Sequence, residues 1–227
     1  MGCLKDRKRD CFHARIMRTT FALGFLTGQE MEWLPPAMRI LRDELPNIHV
    51  TISSQYSPDL ADALTRGKLD VAFLRREAQA ADLEFKLIVK EPLVAVLPGD
   101  HPLASQDAVS PHDIVGETFI SVSNTAPALR IIIDDYIKQS GLNLAPDHEV
   151  YNLPMAMSLV ASTRGVALLP AYAKNFLPAS VISRPIKGDA PAIDLVLGYS
   201  KGNTSPILKR FLSRVSELVA HASKHAH

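Results

Sequence analysis

Cysteine is nearly absent from this 227-residue chain: only Cys3 and Cys11 occur, both in the charged opening segment. They supply neither a disulfide framework nor a metal cage, and Cys11 with His13 makes at most half a metal site. An excess of either charge is also lacking. The 25 basic and 24 acidic residues leave a net charge of +1, so no general field draws in nucleic acid or an anionic membrane, and binding must be local. No run approaches the roughly 18 apolar residues of a membrane span. The opening MGCLKDRKRDCFHARIMRTT is too charged for the apolar core of a secretory signal, which together with the missing span points to the cytoplasm. Catalytic signatures are missing as well, with no GxSxG, HExxH, GxxxxGK[ST] or GxGxxG. Asp134 and Asp135 are adjacent on a predicted helix and point apart, and the eight histidines are scattered. The reading is a non-enzyme with no cofactor, no metal and no membrane partner.

What is present suits a globular fold: 47% hydrophobic and 22% charged residues, and length enough for two lobes of roughly 100 residues each. FALGFL (Phe21 to Leu26) reads as a buried strand ending in the loop TGQE. A helix beginning near Met31 follows, and it admits Pro35 and Pro36 only if they fall in its first turn. HVTISS is a second strand, and QYSPD leads into a helix with Ser57 as N-cap, Pro58 at its first position and Gly67 as terminator. The strand LDVAFL completes a β-α-β-α-β pattern, which forces parallel strands and right-handed crossovers. The pattern returns in TFISV, the loop SNTAP, a helix ending before Gly141, HEVYN, a helix from about Pro154, and VALLP. FKLIVKEPLVAVLP is a long extended segment suited to crossing between lobes, and AIDLVLGYS is suited to crossing back. A last helix carries Ile207, Leu208, Phe211, Leu212, Val215, Leu218 and Val219 on one face, and the tail HASKHAH reads as a frayed end.

In open α/β sheets ligands collect beyond the carboxyl ends of the strands, where helix N-termini present free N–H groups. Four loops qualify here: TGQE, QYSPD, SNTAP and NLP. Thr27, Ser57, Ser123, Asn124 and Thr125 are placed on three of them to donate to a bound carboxylate. Each is equally a good helix cap, so ligand contact and capping remain alternatives for any single residue. Arg75 directly follows a strand and can hold a carboxylate bidentately, or else be a surface arginine beside Arg76. Trp33, Met155 and Met157 are candidates for apolar pocket walls, or simply for core.

The run LPPAMRILRDELPNIHVTISSQYSPDLADALTRGKLDVAFLR resembles the opening of the effector-binding domain of LysR-type transcriptional regulators, as do EPLVAVLPGDHPLA and STRGVALLP further on. The resemblance covers roughly residues 20 to 220. It implies an α/β fold of two Rossmann-like lobes with a cleft between them, of the type 2 periplasmic-binding-protein kind. Lobe I would be residues 19–97 completed by 199–227, lobe II residues 98–198, and residues 1–18 a leader or truncation remnant. It further implies a small organic anion as effector, with an aromatic carboxylate favoured, and a homodimer. Thr27, Gly28, Ser57 and the loop of Ser123, Asn124, Thr125 and Pro127 would line the pocket, with Arg75 where an aromatic-acid-sensing relative also has arginine. On that reading Arg75→Ala weakens the ligand while leaving the ligand-free melting temperature nearly unchanged. DNA would be bound only through a winged helix-turn-helix absent from this chain, since the basic cluster of Lys5, Arg7, Lys8 and Arg9 offers no recognition helix. The alternative is a solute-binding protein of a transport system, which shares the fold but requires export.

Overall fold

The computed structural model describes residues 20–77 and 81–225; the leader therefore lies outside the described residues. Strand β1 (Thr20–Leu26) runs parallel to β2 (His49–Gln55) on one side and β3 (Val71–Leu74) on the other. Helices α1 (Glu30–Glu44) and α2 (Ser57–Thr65) make the crossovers. In the second half β5 (Phe119–Val122) lies parallel between β6 (His148–Val150) and β7 (Val166–Pro170). Its crossovers are α3 (Pro127–Gln139) and α4 (Leu153–Thr163).

The two halves meet on β4 (Leu83–Pro98), which is shared by two sheets. From Leu83 to Pro92 it pairs antiparallel with β9 (Ala192–Ser200), which pairs in turn with β3. From Leu93 to Pro98 it pairs with β7 and with β8 (Val181–Pro185). The strands thus run in the order β2-β1-β3-β9-β4-β7-β5-β6, with β8 also on β4. Leu93 to Pro98 is buried throughout, as a segment covered on both faces must be, and this explains its unbroken apolar run.

Separate cores lie on either side of this seam. In the first, Phe73 stacks on Phe25 with centroids 5.1 Å apart and on Trp33 at 5.8 Å. A second cluster in the same half joins Leu60, Leu64 and Leu74 beneath α2. The other half is built around Phe119, Ile133, Val160 and Leu168. Each fully buried side chain of this size contributes about 1.5–3 kcal/mol relative to exposure, so each half carries its own stabilising core.

Three local expectations are corrected. Pro35 and Pro36 lie inside α1 beyond its first turn, and burial of Trp33, Pro36, Ala37, Ile40 and Leu41 compensates for the two backbone bonds they cannot make. Ser57 is the first helical residue of α2 and Tyr56 is the N-cap, because the Ser57 hydroxyl is engaged elsewhere. The last helix is two, α5 (Pro206–Ser213) and α6 (Val215–His225), broken at Arg214. Leu208, Phe211, Val215 and Leu218 pack with Phe21 and Trp33 in the first half. Among the described residues no helix is long and apolar enough to cross a membrane.

Candidate ligand-binding site

A cavity of about 190 Å³ opens where the carboxyl ends of β1, β5 and β7 meet the start of α2 and the residues after β3. The first lobe lines it with Thr27, Gly28, Glu30, Ser57, Arg75 and Glu77, joined by Leu26 and Tyr56. The second contributes Val122, Thr125, Ala126, Leu129, Tyr172 and Phe176, together with the residues around Asn152.

Gly28 adopts φ +95°, a conformation that disfavours any side chain. A Cβ there would also lie 3.1 Å from the Tyr172 ring and 3.3 Å from Phe176, both in the other lobe. The Gly28 N–H donates to Glu30 at 2.7 Å, and the Ser54 hydroxyl lies 3.3 Å from both Glu30 and the Thr27 hydroxyl. Ser57 is buried, and its Oγ accepts the backbone N–H of Arg75 at 2.9 Å. One of its two acceptor sites is thereby used inside the protein, and its hydroxyl hydrogen is left to donate into the cavity it lines. No side chain caps α2.

Arg75 is buried too, but its charge has an internal partner. The guanidinium forms an ion pair with Glu91 on β4, donates to the Ile193 carbonyl on β9 at 3.4 Å, and sits 5.8 Å from the centre of the Tyr172 ring. The Gln29 amide donates to both Glu91 oxygens at 3.0 and 3.2 Å, and accepts the Trp33 indole N–H at 3.0 Å. Trp33 is therefore core and network, outside the cavity lining. Arg76, by contrast, is exposed and covers the Phe85 ring.

In the second lobe the Ser123 and Thr125 hydroxyls are 2.9 Å apart, and the Thr125 N–H lies 3.3 Å from the Ser123 hydroxyl. Thr125 faces the cavity, whereas Ser123 is buried behind it, Asn124 is exposed, and neither these two nor Pro127 lines it. Helix α3 starts at Pro127 with no side-chain cap, and its first-turn residues Ala128 and Leu129 line the cavity. Helix α4 is capped by the Asn152 side chain, which accepts the Met155 N–H at 2.8 Å. Met157 is core of this lobe and Met155 is partly exposed; neither is a wall. Across the mouth, the Tyr56 hydroxyl donates to the Tyr151 carbonyl at 2.6 Å.

Several cavity residues escaped the sequence reading: Glu30, Tyr56, Glu77, Asn152, Tyr172 and Phe176. Asn152 carried a signal, lying in the NLP loop two residues before a proline. Glu30 and Tyr56 likewise lie in the loops TGQE and QYSPD, whereas Glu77, Tyr172 and Phe176 reach the cavity only through the fold. Glu77 is half-buried, its Oε1 has no hydrogen-bond partner among the described residues, and burial holds its carboxyl above the usual range. Burial likewise pushes the Tyr172 phenol up to about 12, so it stays neutral at physiological pH.

The LysR substrate binding domain family matches residues 15–220. The Hca operon transcriptional activator HcaR of Escherichia coli K12 is 30% identical over 199 residues, 87% of this chain and 67% of that protein. The HTH-type transcriptional regulator AlsR of Bacillus subtilis 168 is 26% identical over 88% of this chain and 66% of its own length. The chain thus spans about two thirds of the length of these relatives. Among solved structures, the BenM effector binding domain with its effector benzoate superposes with a TM-score of 0.79 at 19% identity, covering 90% of this chain and 94% of that one. The effector binding domain of QuiR in complex with shikimate gives 0.79 at 21% identity, covering 92% and 99%. These likenesses establish the two-lobed, type 2 periplasmic-binding-protein-like fold. With the family match extending over nearly all described residues, the chain belongs to the LysR substrate binding domain family.

Proposed function

We propose that this chain is the ligand-sensing module of a LysR-type transcriptional regulator and that it holds a small organic carboxylate in the cavity between its lobes. One observation carries the reading: α2 in the first lobe and α3 in the second both begin without a side-chain cap, and both begin on the same cavity. Uncapped helix starts leave N–H donors unsatisfied and a partial positive charge, which a carboxylate meets. Ser57 and Thr125 add one hydroxyl from each lobe. An anion touching both lobes binds the closed arrangement better than the open one, and that differential affinity is what shifts a conformational equilibrium. The names of the relatives as transcriptional activators and regulators support a regulator over a transport protein.

The same reading includes a cytoplasmic homodimer, and DNA contact through another domain of the intact regulator. It also includes lobes divided near residues 97–98 and 198–199. The change of partners on β4 at Pro92–Leu93 and the start of β9 at Ala192 support crossings a few residues earlier.

Thermal-shift screening with benzoate and shikimate, the ligands of two similar solved structures, followed by calorimetry on the hits, tests the proposal. Ligand at 100 times its dissociation constant adds about 2.7 kcal/mol of stability. Ser57→Ala and Thr125→Val should each weaken a hit roughly tenfold, the effect of losing a hydrogen bond to a charged group. No stabilisation by any small carboxylate, or hits indifferent to both substitutions, would reject it.

A further inference from the structure

The charges on the cavity wall say more about the ligand than the helix ends do. Among the described residues, three acidic or basic side chains line it: Glu30, Arg75 and Glu77. Arg75 is neutralised by Glu91 and further occupied by the Ile193 carbonyl, so its cation is not offered to a second anion. Glu30 is held by the Gly28 N–H and the Ser54 hydroxyl, a pairing that fixes a carboxylate in place without cancelling its charge. Glu77 has an unpartnered oxygen among the described residues. With Arg75 and Glu91 cancelling, the lining keeps two acidic groups and no free cation among the described residues. Its positive potential comes from helix starts, chiefly the uncapped ones of α2 and α3. Apart from Thr27, Ser57, Thr125 and Asn152, the remaining wall is apolar or aromatic, including Leu26, Val122, Leu129, Leu169 and Phe176. The volume of about 190 Å³ somewhat exceeds the roughly 150 Å³ of an apolar cavity that accepts benzene.

We propose, resting on the carboxylate reading above, that the cavity accepts monocarboxylates with an uncharged body of about one ring and rejects dicarboxylates, with Glu77 as the main rejecting residue. One carboxylate satisfies the helix starts. A second meets mainly the apolar wall, where its charge is desolvated without a partner, or Glu77 and Glu30, where like charges repel. Desolvation of the Glu77 carboxyl fits this placement, since a group already short of water and of partners has none to lend.

The test is calorimetry on the whole chain with matched pairs that separate charge from size. Each pair is a ring carboxylate carrying a second carboxylate or, at the same ortho, meta or para position, a neutral carboxamide; benzoate serves as reference. The carboxamide is expected to bind at least roughly a hundredfold more tightly than its dicarboxylate for any position that fits. Glu77→Gln should close that gap by roughly tenfold or more. The wild-type pairs alone decide the selectivity, whatever the stability of the variant. The proposal is overturned if no carboxamide out-binds its dicarboxylate, or if Glu77→Gln leaves the gap intact. If that happens while Ser57→Ala still weakens benzoate, the carboxylate site stands and only the selectivity falls. If benzoate and every other member fail to bind, both fall together.

Discussion

Gly28 shows how much one residue can be asked to do. Its φ of +95° excludes ordinary side chains, and the rings of Tyr172 and Phe176 fill the space where a Cβ would project. Gly28→Ala should therefore cost about 1–3 kcal/mol through backbone strain alone. It should also push apart the two lobes that meet there, so a melting temperature equal to wild type would contradict this account of the turn. Arg75 revises the expectation drawn from sequence. As a buried ion pair it cannot be removed silently: truncation leaves Glu91 buried beside Gln29 with no cation. Removing one partner of such a pair typically costs about 3–5 kcal/mol, so Arg75→Ala should lower the ligand-free stability markedly. Denaturant unfolding of the variant decides between that outcome and the unchanged stability expected of a pure ligand contact. For Glu77 the sign runs the other way. Its folded carboxyl titrates above the ordinary 4.5, so between 4.5 and that higher value the folded state holds more protons than the unfolded chain. Stability then falls as pH rises through this window. Glu77→Gln should exceed wild type at pH 7 by less than about 1 kcal/mol, because the group is only half covered. The two proteins should converge below 4.5; a difference that persists at low pH would mean the glutamine acts through something other than charge.

Elements whose residues signal by local pattern were legible, and those fixed by distant partners were not. The alternation of apolar runs with helical stretches located every crossover and every strand except β8, and VALLP and AIDLVLGYS coincide with β7 and β9. Helix α1 defeated the proline rule because tertiary burial of its Trp33 face outweighs two lost backbone bonds. The break between α5 and α6 has no proline or glycine to announce it; Arg214 instead reaches Glu217 and Glu44 where the chain changes direction. Loop residues were placed on the cavity by position, and Thr27, Gly28, Ser57, Arg75 and Thr125 do line it. Which hydroxyl caps and which points inward depends on Arg75 arriving from 18 residues away to occupy Ser57. Helix α4 tests the cap logic from the other side. Asn152 satisfies the Met155 N–H, so Asn152→Ala should cost about 1 kcal/mol in chemical denaturation. It would also bare a further helix start on the cavity, and carboxylate affinity should be kept or slightly raised despite the lost stability. A loss of affinity matching the loss of stability would show that the side chain is needed by the ligand itself.

At the scale of the whole molecule, two lobes with separate cores are joined by β4 and β9, and further contacts reach between them outside those strands. The Arg75 pair sits on the joint itself: Glu91 and Ile193 are register partners on the two crossing strands, and one guanidinium binds both. On the proposed closure of the lobes, this clamp would stiffen the joint without favouring either arrangement. The choice falls to groups that touch across the mouth, and there the Tyr56 hydroxyl reaches the Tyr151 carbonyl at 2.6 Å. The bond joins the N-cap of α2 to the residue before Asn152, so it can form only when the lobes are close. A hydrogen bond of this kind contributes about 0.5–1.5 kcal/mol net, enough to shift a two-state equilibrium by up to roughly tenfold. Tyr56→Phe keeps the ring and removes the bond. If the ligand binds the closed form, its apparent affinity falls by the fraction of molecules left competent, so benzoate or whichever carboxylate binds should weaken by up to roughly tenfold. Small-angle scattering should show a larger radius of gyration for the ligand-free variant than for ligand-free wild type, and the two should coincide once ligand saturates the cavity. Scattering and affinity that are both unchanged would mean that the tyrosine bond follows closure and does not hold it, leaving the helix ends and their anion as the force that draws the lobes together.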